Sequence, residues 1–303
     1  MSVVAIIAAL LLEQWRPLVD RTGVHALLAR WSNWLANTFN AGESHHGRIA
    51  WLVAMAPPVL GSLALYYALY WLHPLFALAL NVAALYITLG FRQFSHYFTA
   101  IQLELKAGNL NRARDLIGIW RGESAVHRTK EEIVRVSIEE ALVASHQHVF
   151  AVLFWFMVLP GPTGAILYRL SGFLARRWDT EIAFGQFARR VHYAMEWPAV
   201  RLTAIGFAIV GDFEDAIFCW RTQAAAWADA NLGIVLSTGA GALGVRLGMP
   251  LSEADGTVLP RADLGLGESA DVEFLDSTVG LLWRSLVVWV FLLGLLTVAR
   301  IFG

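Results

Sequence analysis

The residues best suited to chemistry lie in one polar stretch, where two carboxylates precede two histidines. Glu139 and Glu140 are followed by His146 and His148, and carboxylate oxygens and imidazole nitrogens are common metal ligands. On an α-helix, residues two positions apart point about 200° away from each other, so one helix cannot aim both histidines at one ion. A strand or turn could do so, but we favour interfacial histidines and predict no metal site.

A second candidate is a run of small residues between Asn231 and Gly248. Small side chains let two helices approach closely, and they also create a backbone surface that accepts a ligand. In the second case, Asn231 and Arg246 would be the polar anchors. The spacing alone favours helix packing, and both interpretations stay open.

Other classes of site lack their residues in this sequence. It contains neither a phosphate-binding loop of the Gly-x-x-x-x-Gly-Lys-Ser/Thr type nor a serine nucleophile elbow. The single cysteine, Cys219, excludes an intrachain disulfide and a cysteine-based zinc site. The chain balances 23 basic against 24 acidic residues, whereas nucleic-acid binding needs a concentrated basic surface. We therefore expect no nucleic-acid partner.

Composition places these residues in a membrane protein. Apolar types make up 57% and charged types 16% of the 303 residues, against about 45–50% and about 25% in soluble domains. Mean hydropathy is +0.54. The tryptophans number 13, which suits a bilayer because indole settles at the headgroup level. We therefore expect an integral membrane protein in contact with lipid.

The clearest span signal is the stretch 49–91, which contains no Lys, Arg, Asp or Glu. It is about twice the roughly 20 residues that one helix needs to cross a bilayer, and His73-Pro74 predicts a corner because proline disfavours helix before it. The apolar stretch 3–12 is either a first span or a signal-peptide core. We predict four or five spans, at about residues 2–14, 50–71, 75–91, 149–170 and 279–301.

Between the spans, mixed charge and helical periodicity predict amphipathic segments at 92–148 and 171–230. Gly108-Asn109-Leu110 predicts a turn between two helices, and the segment from 171 lies either on the membrane surface or in a cytosolic subdomain. Residues 252–276 carry seven acidic residues against Arg261 alone and predict a solvated loop. The predicted fold class is all-α, a polytopic membrane helix bundle with interfacial or cytosolic helices, in a single domain 1–303.

Several short motifs occur together in one order along the chain. They are Gly108-Asn109-Leu110-x-x-Ala113-Arg114, Ile138-Glu139, Ala151-Val152-Leu153-Phe154-Trp155, Pro198-Ala199-Val200-Arg201-Leu202-Thr203-Ala204, and the glycine run from Asn231 to Gly248. This set resembles the motifs of the CobD/CbiB family, membrane proteins of cobalamin biosynthesis. The likeness extends from about Arg92 to the C-terminus.

The resemblance implies an amide ligase that joins aminopropanol or its phosphate to adenosylcobyric acid, with nucleotide hydrolysis that would use Mg²⁺ and ATP. It implies Glu139 as a catalytic carboxylate. The substrate-binding candidates are Asn231, Gly233, Gly241, Arg246, Arg92 and Arg121. A corrinoid and other cobamide-assembly proteins would be partners, besides a second copy of the chain, and the bacterial inner membrane would be the location.

The sequence departs from the family pattern at its acidic motifs. The second Glu-Asn of the central motif falls on Val143-Ala144, and an Asp-Gly falls on Gln147-His148, which removes charge that Mg²⁺ needs. Glu13 and Trp197-Pro198 resemble instead the related AmpE branch, which is linked to β-lactamase regulation. Two functions therefore compete: a component of cobamide assembly with a divergent site, and an AmpE-like signalling or scaffold protein.

Overall fold

A computed structural model describes residues 2–16, 22–40, 44–179 and 182–302. Helices follow one another through the first two thirds of these residues. They are α1 (Ser2–Trp15), α2 (Thr22–Phe39), α3 (Ser44–Leu72), α4 (Pro74–Thr88), α5 (Phe91–Lys106), α6 (Leu110–Arg121), α7 (Lys130–Ser145), a π-helical turn (His146–Phe150), α8 (Ala151–Val158), α9 (Thr163–Arg177) and α10 (Ile182–Val210).

The remaining described residues add further helices and two short β-ladders. They are α11 (Phe213–Gln223), a 3₁₀ turn (Ala224–Ala226), α12 (Ala230–Leu243), β1 (Leu247–Gly248), β2 (Leu251–Ser252), β3 (Val258–Leu259), β4 (Asp263–Leu264) and α13 (Glu273–Phe302). Strand β1 pairs antiparallel with β4, and β2 with β3. The segment predicted as the loop 252–276 therefore contains strand pairing and the first turn of α13.

Two corners lie where the sequence predicts them. Between α3 and α4, His73 is extended (φ −163°, ψ 132°), and its Nδ1 accepts a hydrogen bond from the Leu75 N–H at 3.2 Å. Between α5 and α6, Gly108 adopts φ +80°, a left-handed conformation that glycine reaches without a Cβ clash. Both predicted turns are confirmed.

One helix is longer than its hydropathy indicates. A continuous helix runs from Lys130 to Val158, because that stretch contains no helix-breaking glycine or proline. Thr129 and Glu132 start it with a capping box, in which each side chain accepts the other's backbone N–H, at 3.2 and 2.6 Å. The predicted span 149–170 is therefore divided, because its first part completes this helix and its second part belongs to α9.

Three helices in the described part of the chain are long and apolar enough to cross a membrane: His45–Leu72, Lys130–Val158 and Glu273–Ala299. The shorter apolar helices are Val3–Trp15, Pro74–Thr88 and Ala230–Leu243. Helix α10 has 29 residues and continues through Pro198, so the predicted amphipathic segment 171–230 contains a helix of similar length. The all-α membrane bundle predicted from the sequence is confirmed.

The chain divides into two compact units. The first consists of Met1–Gly90, Ala151–Ala199 and Leu296–Gly303, and the second of Phe91–Phe150 and Val200–Leu295. In the first unit, a core forms where α2, α3, α9 and α10 contribute buried side chains that include Leu35, Ala54, Leu174 and Phe184. In the second unit, α11 packs along α12, and α5 packs against α6 and α7. All of the candidate site residues lie in the second unit.

Cys219 on α11 should resist alkylation at neutral pH while the protein is folded. Burial raises the pKa of its thiol to about 11, and the nearby Asp215 carboxylate adds to the shift, so on the order of one thiol in a thousand is ionised at about pH 8. We expect iodoacetamide to label Cys219 only after the protein is unfolded in SDS. A variant carrying Cys219→Ser and Arg221→Cys is the control, because residue 221 is exposed. Fast labelling of native Cys219 would contradict the prediction.

Candidate functional site

The candidate carboxylate Glu139 lies in a buried ion pair. Helix α7 carries it, and Arg261, in the turn between β3 and β4, faces it with both terminal nitrogens. The distances are 2.8 Å from Nη1 to Oε2 and 3.1 Å from Nη2 to Oε1, and the side chains are 5% and 11% exposed. Two parallel N–H···O bonds between ionised groups are among the stronger contacts in proteins. Glu139 and Arg261 therefore form a fixed joint between α7 and the chain that follows α12.

Arg261 extends this joint along the backbone of the glycine run. Its Nη2 donates to the carbonyl of Gly248 at 2.6 Å and its Nε to the carbonyl of Met249 at 3.0 Å. The guanidinium carbon also lies 5.4 Å from the centre of the Trp227 ring, a cation–π distance. Glu139 Oε1 accepts the Gly248 N–H at 2.8 Å. The carboxylate is thus engaged by one side chain and one backbone donor.

Two further side chains of α7 hold the same segment. Arg135 Nη2 donates to the carbonyl of Pro250 at 2.7 Å, and Glu132 Oε1 accepts the Ser252 N–H at 2.8 Å. Residues 132, 135 and 139 share one face of a helix, and they meet residues 252, 250 and 248 in reverse order. One face of α7 therefore binds a segment of backbone, residues 248–252, which is called the strap below.

The glycine run serves close packing of α12. Asn231 is 1% exposed, and its N–H donates to Asp229 Oδ1 at 2.8 Å at the start of the helix. A Cβ on Gly233 would lie 2.2 Å from the carbonyl oxygen of Ala224, and one on Gly241 would lie 2.5 Å from that of Asp215. These backbones occupy the space that a side chain would need. The contacts favour the packing interpretation, and ligand binding by this run stays a prediction.

The candidate arginines occupy different surroundings. Arg246 is exposed and donates from Nη2 to Ser269 Oγ at 3.2 Å, and Arg92 is exposed at the start of α5. Arg121 is partly buried, with 2.9 Å from Nη1 to Glu140 Oε1 and 3.2 Å from Nε to Glu123 Oε2. The structure brings Glu139 to the end of the glycine run, while it leaves Arg246 and Arg92 at the surface.

Three of the four carboxylates of α7 are held by other groups and do not fit a Mg²⁺ site, while the fourth, Glu131, is exposed. Magnesium requires free carboxylate oxygens in octahedral geometry, whereas Glu139 is bound by Arg261, Glu140 by Arg121, and Glu132 by backbone donors. His146 is buried, and its Nδ1 lies 3.0 Å from Thr203 Oγ1 in a hydrogen bond. Within the described ranges, no three His, Cys, Asp or Glu side chains form a group that could hold a metal.

Arg261 is the site residue that the sequence reasoning missed. Its only signal in the sequence is that it is the lone cation of the acidic segment 252–276, which does not identify its partner. Arg128 was missed as well. It is fully buried directly before the N-cap of α7 and donates from Nη2 to Glu123 Oε2 at 3.1 Å. Arg121, Glu123 and Arg128 therefore form a second cluster of charges.

Comparison with known proteins agrees with these motifs. The family model described as CobD/Cbib protein matches residues 4–281. This chain belongs to the CobD/CbiB family. It is 32% identical over 301 residues to the "Cobalamin biosynthesis protein CobD" of Stutzerimonas stutzeri (strain A1501), which covers 95% of this chain and 96% of that protein. The membership predicted from the sequence is confirmed.

Two other CobD/CbiB relatives match shorter parts. A protein of the same name from Chromobacterium violaceum is 34% identical over 220 residues, or 71% of this chain and 70% of its own length. Another, from Rhodobacter capsulatus, is 27% identical over 168 residues, or 54% of each chain. No solved structure matches this CobD/CbiB chain at a significant level. The relatives place the chain in cobalamin biosynthesis by family, and they leave the roles of its site residues as predictions.

Proposed function

We propose that this chain acts in cobalamin biosynthesis at the step that joins aminopropanol or its phosphate to adenosylcobyric acid. The observation that carries the proposal is the similarity to the Stutzerimonas stutzeri CobD protein over 95% of the chain, together with the family match through residues 4–281. The family match includes the strap and the glycine run. The relatives named above all carry the cobalamin description, and no observation supports the AmpE-like alternative.

The second unit is the part of the chain that supports this proposal. It contains Glu139, Asn231, Gly233, Gly241 and Arg246, the residues carried by the family resemblance. Polar bonds join α7 to the strap, and α12 packs against both α7 and β1. A corrinoid, a nucleotide and other assembly proteins are proposed partners, while the paired carboxylates Glu132, Glu139 and Glu140 do not fit Mg²⁺.

A growth experiment tests the proposal. The chain is expressed in a cobalamin-producing bacterium that lacks its own CobD, and the cells are grown where cobalamin is required. With cobyric acid as the only corrinoid, we expect expression to restore growth, because the missing amide bond is then formed. Cobinamide already contains this bond, so it should support growth with or without the chain.

Growth on cobinamide but not on cobyric acid, despite protein in the membrane fraction, would overturn the proposed step. Immunoblotting of separated inner and outer membranes shows whether the protein is present in a membrane fraction. It also tests the proposed location, since we infer an inner-membrane protein from its long apolar helices. Recovery of the chain mainly in outer membranes would contradict that location.

A further inference from the structure

Arginines gather on one part of the first unit. The segments 22–48 and 169–190 together carry seven arginines against three carboxylates, and they contain no lysine. None of these arginines belongs to the joint at Glu139 or to the candidates that the family resemblance implies. Their concentration in two short segments therefore needs an explanation of its own.

Side-chain contacts bring α2, α9 and α10 together at these arginines. Arg177, in the last turn of α9, donates from Nε and Nη2 to Asn33 Oδ1 of α2 at 3.1 and 2.9 Å. Directly after α9, Asp179 pairs with Arg189 of α10, with 3.1 Å from Nη1 to Oδ1. The end of α9 therefore connects the arginines of α2 with those of α10.

The start of α3 joins the same surface. The guanidinium carbon of Arg48 lies 5.5 Å from the centre of the Phe187 ring of α10, a cation–π distance. Phe187 and Arg190 are three positions apart on α10, so they share one helix face. The exposed arginines of these four helices define what is called the basic surface below: Arg30, Arg48, Arg176, Arg177 and Arg190.

Most of the charge on the basic surface is not neutralised by the described residues. Asp179 is engaged by Arg189, and the partner of Arg177 is a neutral amide. The helix dipole favours cations in the last turn of α9, but it disfavours a cation such as Arg48 near the start of α3. Helix stabilisation therefore does not account for the whole set, and a partner with negative charge does.

Helix α2 adds apolar side chains to this surface. Leu27 is 69% and Trp34 is 57% exposed, and both share a helix face with Arg30, which lies between them at helical spacing. Exposed leucine, arginine and tryptophan on one face are typical of a helix that lies in the boundary between lipid headgroups and acyl chains. The surface therefore suits a phospholipid better than an acidic protein or a soluble anion.

The far end of α3 has the opposite character. The apolar helix His45–Leu72 has 28 residues and is about 42 Å long at 1.5 Å per residue, enough to cross a hydrocarbon core of about 30 Å. The stretch 49–91 contains no charged residue, and Trp71 at the end of α3 is 91% exposed. One end of the helix is thus cationic and the other is neutral and aromatic. Basic residues next to spans favour the cytoplasmic side.

We propose that the basic surface binds anionic phospholipids of the cytoplasmic leaflet. The arginines lie at the headgroups, where a guanidinium fork matches phosphate oxygens, and Leu27 and Trp34 lie at the start of the acyl chains. Clusters of basic residues beside a span bind anionic lipid in this way. Lipid binding is independent of the proposed amide-forming step. The cytoplasmic side rests on the proposed inner-membrane location, which immunoblotting of separated membranes tests by itself.

Electron paramagnetic resonance of spin-labelled lipids tests the binding. The full chain is reconstituted in phosphatidylcholine bilayers that contain a trace of spin-labelled phosphatidylglycerol or spin-labelled phosphatidylcholine, and the spectrum separates lipid held at the protein from free lipid. We expect phosphatidylglycerol to be enriched at the protein about twofold or more over phosphatidylcholine. The enrichment should fall in about 1 M salt, where the Debye length shrinks to about 3 Å.

The main variant combines Arg176→Gln with Arg190→Gln, because both side chains are exposed. It should remove about half or more of the enrichment. Arg176→Lys with Arg190→Lys keeps the charge and should keep the enrichment. Arg112→Gln with Arg221→Gln is the matched control, since it removes two exposed arginines from the second unit and should leave the enrichment unchanged.

Thiol labelling of intact cells tests the side of the membrane. A cysteine at His73, between α3 and α4, should react with a membrane-impermeant stilbene disulfonate maleimide added outside the inner membrane. A cysteine at Ala183, exposed near the start of α10, should react only after the cells are opened. The wild type, which carries the buried Cys219 alone, gives the background.

Four results would overturn the proposal. The first is equal enrichment of the two lipids at the wild-type protein. The second is an unchanged enrichment in the Arg176 and Arg190 glutamine variant, or a loss as large in its lysine counterpart or in the control. The third is labelling of Ala183→Cys in intact cells. The fourth is labelling of His73→Cys only in opened cells, which would place the neutral end of α3 in the cytoplasm.

Discussion

Replacement of Glu139 by alanine is expected to destabilise the protein by about 3–5 kcal/mol, the range for removing one partner of a buried ion pair. The substitution leaves the Arg261 guanidinium buried and without its carboxylate, and it also removes the acceptor of the Gly248 N–H. Arg261→Ala should cause a loss of similar size, because it leaves the Glu139 carboxylate buried without its guanidinium. Titration of the purified chain in detergent with SDS, which unfolds it, measures the loss of stability in both variants.

A double-mutant cycle separates the pair from its surroundings. The loss in Glu139→Ala combined with Arg261→Ala should be smaller than the sum of the single losses, because the second substitution removes the charge that the first left unpaired. An apolar replacement of both, Glu139→Met with Arg261→Met, should recover much of the stability. Losses below about 1 kcal/mol for both single variants, the scale of an ordinary surface change, would contradict the buried joint.

The Met–Met pair also tests the predicted catalytic role of Glu139. If that variant reaches the membrane, unfolds like the wild type and supports growth on cobyric acid, its carboxylate is a structural group. If it folds and fails to support growth, the Glu139–Arg261 pair is required for the reaction. Protein in the membrane fraction and growth on cobinamide are the necessary controls.

Gly241→Ala is expected to destabilise the fold by about 1–3 kcal/mol, the usual range for overpacking. Its Cβ would lie 2.5 Å from the carbonyl oxygen of Asp215 and 2.8 Å from the Cα of Ala216. Both atoms belong to the backbone of α11, so relief requires α11 and α12 to move apart. Thermal unfolding in detergent provides the measurement.

Gly280→Ala is the matched control for this steric prediction. Gly280 also lies inside a helix, α13, but nothing lies within 4 Å of the position that its Cβ would occupy. The higher helix propensity of alanine should leave stability unchanged or raise it by up to about 1 kcal/mol. Equal effects at 241 and 280 would show that helix propensity, and not close packing of α11 and α12, determines the result.

The sequence predicted best what depends on neighbouring residues. The corner at His73-Pro74 and the turn at Gly108 follow from local backbone preferences, and both are confirmed. The boundary between the amphipathic segment 92–148 and the span 149–170 was predicted from a rise in hydropathy. It is not a helix boundary, because one helix runs through it from Lys130 to Val158.

Contacts between distant parts of the chain were beyond such reasoning. Glu139 was chosen for its residue type and family resemblance, but its partner Arg261 is 122 positions away. Nothing in the local pattern of either segment states that the two meet. The small residues at 233 and 241 were correctly associated with close approach, yet only the structure shows which backbones approach: Ala224 and Asp215.

The pairing of Glu139 with Arg261 also sets an order of events while the chain is being made. The ribosome adds Arg261 122 residues after Glu139, when the segment Lys130–Val158 has long left the exit tunnel. Lys130–Val158 is long and apolar enough to cross a membrane, and an ionised side chain at the centre of a bilayer costs about 3 kcal/mol. Glu139 is therefore made before the cation that pairs with it, and later translation supplies Arg261. Chains released before Arg261 is added keep this defect, which exposes them to the proteases of membrane quality control.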